Sequence, residues 1–145
     1  MSQKLSDETI QTWARLVRVE QELLDKVEGD LKKANLPPLV WYDVLLELVR
    51  EKSGRLRYRD LNAKLLIAKH NLSRLLDRLE AEQLVTREAV DDDARGANIA
   101  VTEVGRRMQK RIWPVYHRAI AHHFASRLGH DELEQLDAIL KKLRG

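Results

Sequence analysis

The sequence predicts a mainly α-helical protein with a small β-wing, and three observations lead there. Apolar residues recur at helical spacing through most of the chain. Charged residues reach 34%, aromatic residues only 5%, and there are six Gly, the profile of a helix-rich soluble protein. Between Leu84 and Val101 the helical period gives way to two short alternating stretches around a charged turn, Asp91-Asp92-Asp93-Ala94-Arg95-Gly96. With 145 residues the chain is long enough for one domain with a real core.

Asp7 to about Ala34 carries Ile10, Trp13, Val17, Leu24, Val27 and Leu31 at helical spacing, which predicts a long first helix whose end Gly29 is expected to loosen. A helix of this length needs a partner surface, and a second copy of the chain is the simplest one. Asn35-Leu36-Pro37-Pro38 is a break. Proline suits the start of the next helix, because the N–H it lacks has no partner there. That second helix spans Leu39 to about Glu51, with Val44, Leu45, Leu48 and Val49 forming a broad apolar face, and Ser53-Gly54 stops it. Arg55-Leu56-Arg57-Tyr58 alternates as a short strand does. Arg59–Leu66 reads as a short third helix, and Ala68–Glu82 as a fourth.

The fourth helix organises the chain. Leu72, Leu75, Leu76 and Leu79 share one face, while Lys69, His70, Ser73, Arg74, Asp77 and Arg78 occupy the other. Two short helices with a tight link and a leucine-rich second member make a helix-turn-helix. Helix, strand, charged loop and strand then read as a wing. After it, Thr102 caps a fifth helix with Glu103 in its first turn, and Pro114 is expected to kink that helix near Lys110–Trp113. Gly129-His130 breaks the chain, and Asp131–Leu143 is the last helix, striped by Leu133, Leu136, Leu140 and Leu143.

Charge is distributed unevenly. Arg50 to Arg78 holds nine Lys/Arg against three acids, a balance of +6, whereas Asp7 to Lys33 holds five against seven, a balance of −2. A basic centre beside an acidic helix points to a polyanionic partner at one face. The chain has no cysteine, which excludes disulfides and thiolate chemistry. No apolar run approaches the roughly 20 residues that span a bilayer, and the N-terminus has no hydrophobic signal region, so a cytoplasmic protein without membrane attachment is expected. Gly-rich phosphate loops, Gly-x-Ser-x-Gly and HExxH are all missing, so no catalysis and no cofactor are expected.

From Leu56 to Arg107 the chain resembles the MarR family of winged helix-turn-helix regulators. The segments that carry the resemblance are RLRYRDLNAKLLI, NLSRLLDRLEAEQLVTRE, DDDARG and IAVTEVGRR; the acidic loop with Asp-x-Arg-Gly and the following Thr-Glu-x-Gly are the most specific. The flanking order, one long helix before and two after, extends the likeness over almost the whole chain. It implies a single domain over 1–145, with 39–101 as the DNA-binding region and 7–34 plus 103–145 as a helical dimerisation region. It also implies a homodimer on a pseudo-palindromic DNA operator, commonly a repressor released by a small molecule.

The resemblance also assigns residues. Ser73 and Arg74 sit where such recognition helices contact DNA, Lys69, His70 and Asn71 form the first turn, and Arg78 continues the outward face. Arg95 sits at the wing tip, where the family places an arginine in the minor groove, and Asp93 would orient its guanidinium by a charge-assisted bond. Three residues depart from the family pattern. Ala68 stands at the expected N-cap, where a missing oxygen costs about 1 kcal/mol. Asn62 stands where a small Ala normally packs between helices. Gln83 replaces the usual Gly after the recognition helix, so a non-Gly residue is expected at positive φ.

All three Trp lie outside the basic core: Trp13 in the first helix, Trp41 in the second and Trp113 in the fifth. Tyr42 and Tyr116 adjoin two of them. Trp and Tyr present apolar faces plus one donor, so an aromatic or carboxylic effector site is expected around Trp13, Trp41, Tyr42 and Trp113, with Arg18, Asp43 and His117 as polar contacts. Two alternatives stand beside this reading. One is a zinc-responsive regulator of the same fold using His117, His122, His123 and His130, although their spacing lacks the i, i+4 pair typical of a helical zinc site. The other is a helical protein-interaction module without operator binding, which leaves the basic helix and the Asp-x-Arg loop unexplained.

Overall fold

A computed structural model describes residues 4–67, 71–89 and 96–145. Among them the chain forms helices α1 (Asp7–Lys33), α2 (Leu39–Arg50), α3 (Tyr58–Lys64), α4 (Leu72–Ala81), α5 (Glu103–His123) and α6 (His130–Arg144). A 3-10 turn over Ala125–Arg127 precedes α6, and strands β1 (Arg55–Arg57), β2 (Val85–Glu88) and β3 (Asn98–Val101) complete the fold. The mainly helical class with a small wing sheet therefore holds. The chain divides into two compact units, one of residues 31–115 and one of residues 1–30 with 116–145. It crosses between them next to Gly29 and next to Pro114, the two residues that weaken helices. Both lie inside helices that run on, so Gly29 does not end α1 and α5 continues through Pro114.

In the 31–115 unit the core is a leucine cluster. Val44, Leu45 and Leu48 of α2, Leu61 and Leu65 at α3, and Leu72, Leu75, Leu76 and Leu79 of α4 pack with Leu84, Val85 and Ile99. The period that marks α4 in the sequence is its buried face. The sheet is antiparallel with order β1-β3-β2: Leu56 pairs with Ile99 on one side, and Arg87 pairs with Ile99 on the other.

Two helix ends in this unit close with the same motif. After α1, the N–H of Leu36 bonds the carbonyl of Leu31 and that of Asn35 bonds Lys32, with Asn35 at φ 57°. After α4, Leu84 N–H bonds Leu79 and Gln83 N–H bonds Glu80, with Gln83 at φ 63°. These are Schellman closures, whose left-handed residue is usually Gly. The positive φ expected at Gln83 is present.

The start of α4 corrects the sequence reading. The N-cap is Asn71, at φ 55° and ψ 44°, and not Ala68; Asn71 therefore precedes the first turn rather than forming part of it. Asparagine tolerates this left-handed conformation better than most residues, and its side chain makes no capping bond here. Asn62 is exposed rather than packed between helices. Ala68, Lys69, His70, Asp93, Arg95 and the rest of 91–95 lie outside the described residues.

The other unit contains the α1 residues up to Asp30, the α5 residues from Tyr116, and α6. Val27 and Ala119 are buried in it, and His123 Nε2 lies 2.8 Å from Asp30 Oδ2. Helix α6 has no buried residue. Its start is held by Glu132, whose carboxylate accepts the Gly129 N–H at 2.8 Å.

Candidate nucleic-acid interface

Helix α4 buries Leu72, Leu75, Leu76 and Leu79 and exposes Ser73, Arg74, Asp77 and Arg78. Each exposed group has its own surroundings. Ser73 Oγ lies 3.2 Å from the Tyr58 hydroxyl at the start of α3, so the first turn of α4 is tied to α3. Asp77 forms an ion pair with Arg87 of β2. Arg87 also donates its backbone N–H to Glu80 Oε2 at 3.2 Å and places its guanidinium 3.6 Å from Glu80 Oε1. Both acids on the outer half of α4 are thereby engaged by one strand residue. Arg74 and Arg78 form no ion pair with any other described residue, which leaves two cationic side chains directed to solvent on the exposed face. A guanidinium without an ion-pair partner among the described residues is suited to phosphates and to guanine edges.

The sheet beside α4 is braced. Arg55 Nη1 of β1 lies 2.9 Å from Glu88 Oε2 of β2, bridging the two outer strands. At the other end Thr102 makes the seam: its hydroxyl donates to the Gln83 carbonyl at 2.6 Å and accepts the Gly105 N–H at 3.0 Å. The N-cap expected at Thr102 is therefore formed. Gly105 is required there, because a Cβ at that position would drive into the Leu84 carbonyl oxygen and the Val101 side chain. The Thr-Glu-x-Gly sequence is thus a packing motif that docks the start of α5 against the turn leaving α4.

Residues 34–96 match the model of the MarR family. The HTH-type transcriptional regulator YkoM of Bacillus subtilis is 31% identical over 98 residues, 68% of this chain and 62% of that protein, so the likeness spans less than two thirds of YkoM. The crystal structure of AbsC, a MarR family transcriptional regulator from Streptomyces coelicolor, superposes with a TM-score of 0.85 at 28% identity, covering 99% of this chain and 96% of that one. Sco3205, a second MarR family regulator from Streptomyces coelicolor, crystallised in complex with DNA, superposes with a TM-score of 0.88 at 25% identity, covering 99% and 90%. Over residues 34–96 the chain matches the MarR family, and over nearly its whole length it superposes on MarR family regulators. Its helices and three-stranded sheet are the MarR winged-helix fold, and MarR family members are transcriptional regulators, not enzymes.

The residues assigned to a MarR-type effector site fall in two places. Trp41, Tyr42, Asp43 and Trp113 lie in the 31–115 unit, and Trp13, Arg18 and His117 in the other. Tyr42 is buried and stacks on Trp113, with ring centroids 6.1 Å apart and planes at 12°. Burial raises the Tyr42 pKa, while a side-chain hydrogen bond with Gln109 and the charge of Arg50 oppose the shift. Trp41 is half-buried against the leucine cluster, and Trp113 remains 42% exposed. In the other unit Trp13, Arg18 and His117 are exposed.

Asp43 departs from its expected role. Its Oδ1 accepts the Leu66 N–H at 3.1 Å and its Oδ2 accepts the Ile67 N–H at 2.7 Å. Both carboxylate oxygens are committed to the backbone, so Asp43 is part of the frame and not a ligand contact. Sequence reasoning also missed Tyr58 and Arg87, the two side chains that reach the exposed face of α4 from neighbouring elements. An aromatic at the first position of α3 and an arginine within β2 were the available signals. Among the described residues no group of three His, Cys, Asp or Glu is gathered to hold a metal ion.

Proposed function

We propose that this chain is a sequence-specific DNA-binding regulator that acts as a homodimer on a pseudo-palindromic operator. The observation that carries the reading is α4 itself: one face locked into the leucine cluster, the other offering Ser73, Arg74 and Arg78 with its acids engaged by Arg87. Phosphate contacts from such a face position the protein, and guanidinium contacts to base edges discriminate. The DNA complex of Sco3205 supports the same use of this fold. Arg95 on the wing, with Asp93 to orient it, and Lys69, His70 and Asn71 ahead of α4 complete the proposed interface on the strength of the resemblance.

Exposed apolar side chains support the dimer. In the unit of chain ends, Ile10, Trp13, Leu16 and Val19 of α1 and Leu133, Ile139, Leu140 and Leu143 of α6 are all more than 40% exposed. So many exposed large apolar side chains on two helices suit burial against a partner surface. Two copies would then present their α4 helices about 34–36 Å apart, one turn of DNA. Repression relieved by a small aromatic or carboxylic effector is the regulatory mode we assign, with Trp41 and Trp113 as the aromatic surfaces of the central unit. A tenfold loss of operator affinity requires about 1.4 kcal/mol of differential effector binding between two states.

The test starts from a duplex selected by the wild-type protein from a randomised pool. In an anisotropy titration Arg74→Ala should cost roughly 1–3 kcal/mol if it contacts a base. Arg95→Ala should weaken binding most at A·T-rich flanks. Wild-type affinity in both variants would defeat the interface, and a folded monomer near 16.9 kDa in sedimentation at micromolar concentration would defeat the dimer. Titration of Trp fluorescence with a panel of aromatic acids tests the effector; a Trp41→Ala variant that keeps the full response would remove Trp41 from the site.

A further inference from the structure

We propose that Asp43 is a positioning residue for the DNA-reading helix: its buried carboxylate fixes the turn that leaves α3 and thereby sets how well the protein discriminates one DNA sequence from another. The inference rests on the DNA-binding reading above and names a residue on another helix, α2, as part of that function.

Asp43 is 6% exposed and is the one buried charged side chain among the described residues. It sits between Tyr42 and Val44, on a helix whose neighbours Val44, Leu45 and Leu48 are wholly buried. A carboxylate in such a place is costly unless its oxygens are hydrogen-bonded. Here each oxygen takes a different backbone N–H, from Leu66 and from Ile67. Bonds to an ionised acceptor are roughly twice as strong as neutral ones, and they strengthen further away from water. Two successive amides held by one carboxylate fix the direction of the chain at that point, not only its position.

That point matters for α4. Helix α3 ends at Lys64 with Leu65 as its C-cap, and Leu65 is buried whereas Leu66 is 74% exposed. The chain therefore turns outward at the residues that Asp43 holds. Helix α4 begins at Leu72 without a side-chain cap from Asn71. Its start is not fixed by a cap of its own. Among the described residues it is held by the buried leucine face and the Tyr58–Ser73 contact, and the tether that α2 supplies through Asp43 acts on the chain that leads to it. A guanidinium at Arg74 needs its bidentate geometry kept within a fraction of an ångström to tell guanine from other bases, whereas phosphate contacts tolerate more play. Loosening the tether should therefore lower discrimination more than it lowers binding to arbitrary DNA.

The experiment uses Asp43→Asn, which keeps the volume but turns one acceptor into a donor facing an N–H, together with Asp43→Ala. Amide hydrogen exchange by NMR reads the tether without DNA. Anisotropy with the selected duplex and with a scrambled duplex of the same composition reads discrimination, at a temperature where circular dichroism shows each variant folded. We expect exchange at Leu66 and Ile67 to accelerate tenfold or more while Leu45 and Leu76 stay protected. The ratio of selected to scrambled affinity should fall about tenfold, with scrambled affinity changed by less than about twofold. A merely structural Asp43 would lower the unfolding midpoint and leave that ratio intact, which overturns the proposal. Wild-type exchange rates at Leu66 and Ile67 in Asp43→Asn overturn it as well. If Asp43→Ala does not fold, Asp43→Asn alone decides. If the wild-type protein itself prefers no duplex, it is the DNA-binding reading that fails, and the exchange measurement separates that result from the loss of the tether.

Discussion

Arg87 on β2 is ion-paired with Asp77 on α4, so the wing strand carries the counter-charge for the helix proposed to face DNA. The same guanidinium lies 3.6 Å from Glu80. Removing it leaves two carboxylates uncompensated on the surface proposed to meet phosphates. Arg87→Ala is expected to weaken binding to any duplex by roughly 1 kcal/mol at low salt, less at high salt, and Asp77→Ala in the same chain should restore part of it. The unfolding free energy should change by less than about 1 kcal/mol, because the Asp77 end of the pair is 65% exposed and water screens it. Affinity and denaturation measured on the single and double variants test both statements; equal DNA affinity of Arg87→Ala and wild type would count against a DNA-facing α4.

Gly105 tests the seam between the turn after α4 and the start of α5. Its missing Cβ makes room for the Leu84 carbonyl, a backbone atom that cannot rotate away. Gly105→Ala is expected to destabilise the protein by roughly 1–3 kcal/mol, the range for overpacking, despite alanine being the better helix former. Denaturant unfolding measures it. A variant as stable as wild type would show that the seam yields.

The opposite sign is expected at Gln83. It holds a left-handed conformation at φ 63°, which costs an L-residue roughly 1–2 kcal/mol. Gln83→Gly removes that strain but adds freedom to the unfolded chain, so a net gain of about 0.5–1 kcal/mol is expected. A lower thermal midpoint for Gln83→Gly would contradict it.

Alkaline pH provides a fourth test through Tyr42. Burial raises its pKa above the ordinary 10.0, so the folded state holds the phenolic proton more tightly than the unfolded state does. The stability this contributes is fully present below pH 10.0 and is lost as pH rises through the folded pKa. Lys64 acts in the same direction, since its hydrogen bond to Glu51 raises its pKa; it is fully exposed and its share is small. Tyr42→Phe should flatten the alkaline fall in denaturation midpoint. An unchanged slope would remove Tyr42 as its source.

The features legible in the sequence are those written in residue period. The leucine stripe of α4, the bounds of α1 and α2, and the cap at Thr102 follow from spacing and cap chemistry, and the structure places them there. The left-handed turn at Gln83 is legible only through the resemblance, because Gln83 stands where the family usually has Gly. The first residue of α4 is not legible. Ala68 to Asn71 carry no apolar period, and a left-handed Asn71 opens a helix without the cap bond that a sequence pattern signals. Asp43 is misread for a different reason. An acid among apolar helix residues looks the same whether its partner is a ligand or a backbone amide, and here the amides lie 23 and 24 residues away in the chain.

Strand β3 sits in the middle of the sheet although it comes last in the chain, pairing with β1 on one side and β2 on the other. On the ribosome, β1 therefore waits without any strand partner while α3, α4 and β2 are made, and Arg55 cannot be held in register until Ala100 has emerged. Closing so long a loop is slow compared with forming helices. The nascent chain acquires α4 early and its wing late, with Thr102 and Gly105 following directly behind to lock the assembly. A chain truncated before β3 would carry α4 with no sheet to seat it.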